Sequence, residues 1–288
     1  MAHFLLRKLF WGLLRHFLSD RQYIRFRYRL ELGRWPDLEN PKRFSEKIQW
    51  LKLNDRSPLR KKVADRLGMR DYVAETIGEE HLIPLIGTFP ELTNEVWDEL
   101  PEQFVIKASH GSGYIQIIRS KSGASFDEIK NEAESWLSED YADLGREWVY
   151  RDENPFLIVE KLLLDSDGEP PADYKYFCFH GRAELIQIDL DRFSQHRQNF
   201  YDRDFRRVEI RQIYRSREQD PPKHERWEEG IELAEELSEP FDFLRVDLYL
   251  LENRIYVGEL TNFPHSGFAG FQPDEADLFY GEKLQLNL

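Results

Sequence analysis

The chain has one cysteine, Cys178, in 288 residues. That excludes an internal disulfide framework and any Cys-rich zinc site, and it leads us to expect a reducing, cytoplasmic compartment. No uninterrupted run approaches the ~20 apolar residues of a transmembrane helix. Arg7 and Lys8 interrupt the N-terminal stretch where a signal peptide would need apolar residues. Basic charge is also in short supply: 40 Lys and Arg stand against 54 Asp and Glu, a net charge of −14. Nucleic acid is therefore not an expected partner, since neutralising phosphates takes a clustered cationic excess. There is no Gly-Lys-Ser/Thr P-loop, no internal repeat and no low-complexity tract.

A hydrophobic share of 41%, with 14% aromatics, is enough for a packed core despite 33% charged residues. At roughly 150 residues per domain, the length suits one large domain or two lobes. The charge is uneven. Residues 1–34 carry eight Lys or Arg and two acids, a balance of +6, which leaves −20 for the remainder. Apolar residues (Leu9, Phe10, Trp11, Leu13, Leu14, Phe17, Leu18) lie between these cations. Such a segment suits the surface of an anionic membrane, and it equally suits packing on the body of the protein.

Asn40-Pro41 reads as an N-cap followed by Pro at the first helical position, opening a helix over 41–53 with Phe44, Ile48 and Leu51 on one face. A second helical stretch is predicted over 59–77. Strand-like segments follow at 157–163, 174–179, 183–189, 244–250 and 255–261. The Arg-rich interval 203–223 ends in Pro221-Pro222 and reads as an exposed excursion. Trp227, Ile231, Ala234 and Leu237 mark a later helix. Hairpins outnumber regular strand–helix alternation, so the fold class is α+β.

Two segments carry chemistry. In the first, apolar strands flank a loop running Ser109-His110-Gly111-Ser112-Gly113, with Lys107 at the end of the first strand. Glycines let a backbone approach phosphate oxygens and present consecutive N–H groups to them. In the second, a three-residue turn at 252–254 would put Asp247 opposite Glu259, Arg245 opposite Thr261, Val246 opposite Leu260 and Leu250 opposite Tyr256. One face would then be apolar, and the other would carry Arg245, Asp247, Glu259 and Thr261. Opposed carboxylates repel unless a cation joins them, and hard oxygen ligands suit Mg²⁺ shared with substrate phosphates. Between these segments lie Glu160-Lys161 at a strand end and a hairpin turning at His180-Gly181, with Asp173, Lys175 and Phe177 on one face.

In order, Lys107 with its glycine loop, Glu160-Lys161, Lys175, Arg245 with Asp247, and Glu259 resemble an ATP-grasp enzyme, more narrowly the TupA-like family of bacterial surface-polysaccharide proteins. The resemblance runs from Asn40 through Asp173-Tyr-Lys-Tyr-Phe-Cys-Phe179 to Gly258-Glu-Leu-Thr261 and Ser266-Gly-Phe268. It implies two α+β lobes gripping ATP. A helical region at 1–60, suited to peripheral contact with a membrane, replaces a full Rossmann-like leading domain, and the ATP-grasp domain spans 61–288, with a nucleotide lobe at about 61–155 and a metal-binding, catalytic lobe at about 156–288.

By the same resemblance, Lys107 and Lys175 would contact phosphates, with Ser109, Gly111, Ser112 and Gly113 as the lid. Glu160, Lys161 and Leu163 would line the adenine hinge. Asp247, Glu259 and Thr261 would hold Mg²⁺, and Arg245 would stabilise the transferring phosphoryl group. Arg192, with Arg197 and Asn199, would meet the acyl phosphate or its acceptor. Arg66 stands where the family's first nucleotide lysine is usual, and Thr261 where a metal-binding Asn is usual, with Asn262 pointing away. The implied activity is ATP-dependent carboxylate–amine ligation on a surface-glycan precursor, at the inner face of the cytoplasmic membrane. A glycosyltransferase using Asp189-Leu-Asp191 and a saccharide kinase on the same fold are the alternatives.

Overall fold

A computed structural model describes residues 2–151, 154–190 and 195–287. The described chain opens with helices α1 (Ala2–Gly12), α2 (Asp20–Leu32), α3 (Phe44–Asn54), α4 (Pro58–Ala64) and α5 (Arg66–Thr76). Strand β1 (Leu85–Phe89), helix α6 (Asn94–Glu99), strands β2 (Phe104–Ala108) and β3 (Ile115–Ile118), helices α7 (Phe126–Ser138) and α8 (Tyr141–Gly145) and strand β4 (Leu157–Glu160) follow. Then come β5 (Asp173–Phe179), β6 (Arg182–Leu190), β7 (Arg197–Tyr201), β8 (Arg207–Val208), α9 (Trp227–Ser238), β9 (Phe243–Leu250), β10 (Ile255–Thr261) and α10 (Asp274–Lys283).

Two antiparallel sheets organise these elements, one ordered β1-β4-β2-β3 and the other β10-β9-β5-β6-β7-β8. The α+β expectation therefore holds. In the smaller sheet, Phe104, Ile106, Leu157 and Val159 pack against Ile129, Ala133 and Trp136 of α7. One face of the larger sheet presents Tyr176, Ile186, Ile188, Val246, Leu248 and Leu260 to Trp227, Ile231, Ala234 and Leu237 of α9, with Val73 of α5 in the same cluster. Its other face is divided. At one end Phe177, Phe179, Leu185, Phe200 and Phe243 pack with Phe44, Ile48 and Leu51 of α3 and Tyr280 of α10. The other end carries the charged residues described below.

Three local readings are revised and a fourth is refined. Helix α3 begins at Phe44, not after Asn40-Pro41, because the buried Glu46 carboxylate accepts from the backbone N–H groups of Asp37, Lys42 and Arg43 and holds them outside the helix. The stretch 59–77 is two helices, since Asp65 is extended (ψ 132°) and caps α5 by accepting from Gly68 N at 2.7 Å. Strand β4 stops at Glu160, three residues early. The 203–223 interval is largely exposed, as expected, and is anchored by β8 and by paired hydrogen bonds between Arg211 and Gln272.

Residue 60 lies within α4, and β4 pairs with β1 and β2, so the smaller sheet continues past 155. In the leader, Phe10, Tyr23, Ile24 and Tyr28 pack around Leu38 and Phe268, while Leu13 (55% exposed) and Phe17 (78%) face solvent. Among the described residues, no helix is long and apolar enough to cross a membrane.

Phe44 meets the rings of Phe177, Phe179, Phe243 and Phe271 at centroid distances of 5.0–6.3 Å. Phe44→Ala is expected to cost about 3–5 kcal/mol in urea unfolding; a loss below 1 kcal/mol would show that α3 is not part of the core.

Candidate active site

The charged end of the larger sheet depends on the register of β9 against β10. Asp247 pairs with Glu259, Val246 with Leu260 and Arg245 with Thr261, as the sequence predicts. Nearer the turn the pairing differs: Leu250 faces Ile255 rather than Tyr256. The turn has two central residues, Glu252 and Asn253, closed by reciprocal hydrogen bonds between Leu251 and Arg254. A one-residue bulge at Gly258 then restores the register at the site. A Cβ on Gly258 would lie 2.8 Å from the Tyr249 ring, so the bulge needs glycine for this close approach.

Side chains on this face form one ionic network. Arg245 grips Asp247 bidentately, Nε to Oδ1 and Nη2 to Oδ2, both at 2.7 Å. Lys175 on the adjoining β5 donates to Asp247 Oδ2 at 2.7 Å, donates to Asp173, and lies 3.7 Å from Asp189. Arg245 Nη2 also donates to Thr261 Oγ1 at 3.0 Å, and that hydroxyl donates to Glu259 Oε1 at 2.5 Å. Burial pushes the Asp247 carboxyl up, against the pull of Arg245 and Lys175. Burial opposes the charge of Lys175, but Asp173 and Asp247 outweigh it and raise the ammonium above its usual range. Burial likewise works against a charged Glu259, yet Arg245 and Arg66 pull that carboxyl down to about 2.

The smaller sheet closes over this network. Lys107 reaches Glu160 Oε2 at 2.7 Å, and Arg70 reaches Glu160 Oε1 at 3.2 Å. Burial disfavours the Glu160 carboxylate, but Lys107 more than compensates and its pKa is lowered. Ser109 is buried and exchanges two hydrogen bonds with the Phe156 backbone, anchoring the loop to the strand leading into β4. Gly111 and Gly113 take φ of +76° and +88°. Ser112 and Gly113 line a chamber with Arg66, Lys107, Lys175, Asp247 and Glu259. Beside it, an apolar slot of about 380 Å³ opens between Val105, Ile115, Lys161, Leu163 and Tyr249.

A family model described as TupA-like ATPgrasp matches residues 46–285. The chain belongs to the TupA-like ATP-grasp family. Among solved structures it is similar to D-alanine–D-alanine ligase from Helicobacter pylori (13% identity, 78% of this chain and 61% of that one, TM-score 0.43). It is also similar to the ATP complex of the Bacillus anthracis enzyme of the same name (14%, 70% and 55%, 0.41). A third is N5-carboxyaminoimidazole synthase from Aspergillus clavatus, bound to ADP and 5-aminoimidazole ribonucleotide (12%, 70% and 44%, 0.40). This chain spans under two thirds of the length of each. A search of curated proteins gives no match.

Within this ATP-grasp chain, the residues singled out in the sequence fall into three groups. Arg66, Lys107, Ser112, Gly113, Lys175, Asp247 and Glu259 share the chamber, with Arg245 and Thr261 bonded into its floor. Glu160, Lys161 and Leu163 line the slot. Asn199 sits on the opposite face of β7, bonded to Tyr201 and Asp220, and Arg197 shares its alternation, so neither faces Lys175. Asn262 bonds Arg60 through both amide atoms and points away from the chamber, as its strand position predicts. Arg192 and Asp191 lie outside the described residues. Asp173 and Tyr249 were not selected from sequence, although each alternates with a chosen residue, Lys175 and Asp247 respectively.

For a divalent cation, the donor set is the carboxylates of Asp247 and Glu259 with the Thr261 hydroxyl. Among the described residues there is no group of three His, Cys, Asp or Glu side chains arranged to hold a metal. Two hard carboxylates on adjacent strands suit Mg²⁺ that takes its remaining ligands from substrate phosphates and water.

An ordinary Glu titrates near 4.5, whereas Glu259 titrates at about 2. Its contribution to stability is complete above pH 4.5 and is lost as pH falls towards 2. Chemical denaturation at stepped pH should therefore show wild type losing stability more steeply than Glu259→Gln across that window; parallel curves would contradict the pairing.

Proposed function

We propose that this ATP-grasp ligase joins a carboxylate to an amine at the expense of ATP, acting on a surface-glycan precursor. The observation that carries the reading is the convergence of Arg66, Lys107, Lys175 and Arg245 on one chamber that also holds Asp247 and Glu259 and adjoins an apolar slot. The slot suits adenine, with Lys161 and Leu163 on its wall; the chamber suits the triphosphate.

In the first step a substrate carboxylate oxygen attacks the γ-phosphorus. The new O–P bond forms as the P–O bond to ADP breaks. Lys107 and Lys175 hold phosphate oxygens, and Arg245 meets the charge spread over the transferring group. Mg²⁺, held by Asp247 and Glu259 with Thr261, would supply further charge neutralisation. In the second step an amine attacks the acyl carbon, the C–N bond forms, inorganic phosphate leaves with the C–O electron pair, and the amine proton passes to solvent.

The basic leader, with Leu13 and Phe17 exposed, supports approach to lipid-linked precursors at the cytoplasmic face of an anionic membrane.

Calorimetry should detect Mg·ATP binding to the wild type, and Asp247→Asn with Glu259→Gln should lower ATP turnover by at least about 10²–10³-fold with the fold retained by circular dichroism. Binding of a nucleotide sugar without ATP or ADP binding would overturn the ligase reading. For the leader, Leu13→Ser with Phe17→Ser is expected to reduce co-sedimentation with phosphatidylcholine–phosphatidylglycerol vesicles; unchanged sedimentation would remove the membrane from the proposal.

A further inference from the structure

A straight row of side chains crosses the larger sheet at the chamber. Glu259 of β10 pairs with Asp247 of β9, Asp247 with Lys175 of β5, and Lys175 with Gln187 of β6. Paired residues hold their Cβ atoms ~4.5–5.5 Å apart on one face of a sheet. Gln187 is therefore the next side chain beyond the lysine proposed to hold phosphate. It is 1% exposed. Its Nε2 donates to Asp189 Oδ1 at 2.7 Å, which assigns the orientation of the amide. The other end, Oε1, is buried and has no hydrogen-bond partner among the described residues. An unmet acceptor at this depth is costly, and it calls for a donor from a ligand.

A second unmet atom lies in the field of the same charges. His265 Nε2 is buried without a partner among the described residues, while the residue itself stays partly exposed. Burial, helped by Arg245 and Lys175 and opposed by Asp189, pushes the imidazole down to about 4. The ring is thus neutral near pH 7, and Nε2 can accept a hydrogen bond. The turn that carries it is strained, since His265 and Ser266 take φ of +49° and +55° without being glycine. Such backbone persists only where neighbours enforce it. Here Ser266 O accepts from Gln49 Nε2 at 3.0 Å and from Lys52 Nζ at 2.7 Å, and Ser266 Oγ donates to Gly145 O at 3.0 Å.

A carboxylate or a phosphate would leave both acceptors unmet. Of the partners in a carboxylate–amine ligation, the amine is the one that brings N–H groups to the bond-forming step. Resting on the ligase reading, we propose that Gln187 Oε1 and His265 Nε2 receive the amino group of the second substrate, on the side of Lys175 away from Glu259. A neutral primary amine has two N–H bonds and one lone pair. With both N–H groups accepted, the lone pair is left for the acyl carbon, whose phosphate Lys175 and Arg245 hold. The exposed part of His265 marks the side from which the amine arrives.

The test titrates D-glucosamine, with N-acetyl-D-glucosamine as the blocked control, into the full chain with and without Mg·AMPPNP. The titration is run at alkaline pH, where the amine is largely uncharged, and the His265 ring is followed by nitrogen NMR. Gln187→Met keeps the volume and removes the acceptor. His265→Asn removes the ring and keeps a residue that tolerates left-handed backbone. Glucosamine should bind the wild type and weaken by about tenfold in Gln187→Met and by about threefold or more in His265→Asn, with AMPPNP affinity within about twofold. The His265 Nε2 resonance should move with glucosamine and not with the N-acetyl form, a response that a purely structural ring would not give. Should Gln187→Met fail to fold, that resonance and His265→Asn decide alone. Three results would each overturn the assignment: no glucosamine binding, equal binding of the N-acetyl form, or binding unaltered in either folded variant. Glucosamine binding that the variants weaken, in a protein that fails to bind AMPPNP, would keep the amine site and overturn the ATP reading instead.

Discussion

Asp247 is the residue on which the charged face depends. It is buried, and an isolated carboxylate there would carry a desolvation penalty of several kcal/mol. Arg245 and Lys175 offset much of that penalty by bonding both of its oxygens. The relation is mutual, since Asp247 and Asp173 in turn offset much of the cost of burying the two cations. Three strands must therefore meet in a fixed register, with β9 between β5 and β10. A slip of one residue would turn Asp247 into the α9 core and expose Val246 in its place.

The helical segments that precede the smaller sheet belong to the same construction. Lys52 of α3 donates to the carbonyls of Gly145 and Ser266, at 2.8 and 2.7 Å, and so joins the loop after β10 to the end of α8. Burial lowers its ammonium to about 7, opposed by Glu147. Arg60 of α4 bonds the carbonyl of Phe243 and the amide of Asn262, fixing the start of β9 to the end of β10. The segments that frame the chamber are thus braced from behind by a region with no Rossmann-like alternation.

Legibility in the sequence followed the physics of alternation. The face carrying Arg245, Asp247, Glu259 and Thr261 was readable because polar and apolar residues sort cleanly along two strands. The turn itself was not: a two-residue turn with a bulge at Gly258 gives the same register at the site as a three-residue turn without one, and sequence periodicity does not separate them. Ser109 illustrates a second limit. Its place in a glycine loop is visible locally, but the bond its hydroxyl accepts from the Phe156 N–H, 47 residues away, is not. Helix starts failed for a related reason, since the long-range reach of Glu46 overrides the local Asn40-Pro41 signal.

The acidic body also acquires a definite role. Three of the four cations at the chamber are already held by a carboxylate, Lys107 by Glu160, Lys175 by Asp173 and Asp247, Arg245 by Asp247, while Arg66 bonds the Ala108 carbonyl. Such pairing keeps the cations charged and oriented in a buried chamber, where alone they would be costly. A triphosphate would then compete with carboxylates for the same donors, gaining only the difference between two charge-assisted contacts. The consequence is selectivity for ligands that engage several cations at once, because a single phosphate group replaces only one such pair while the remaining acids still repel it.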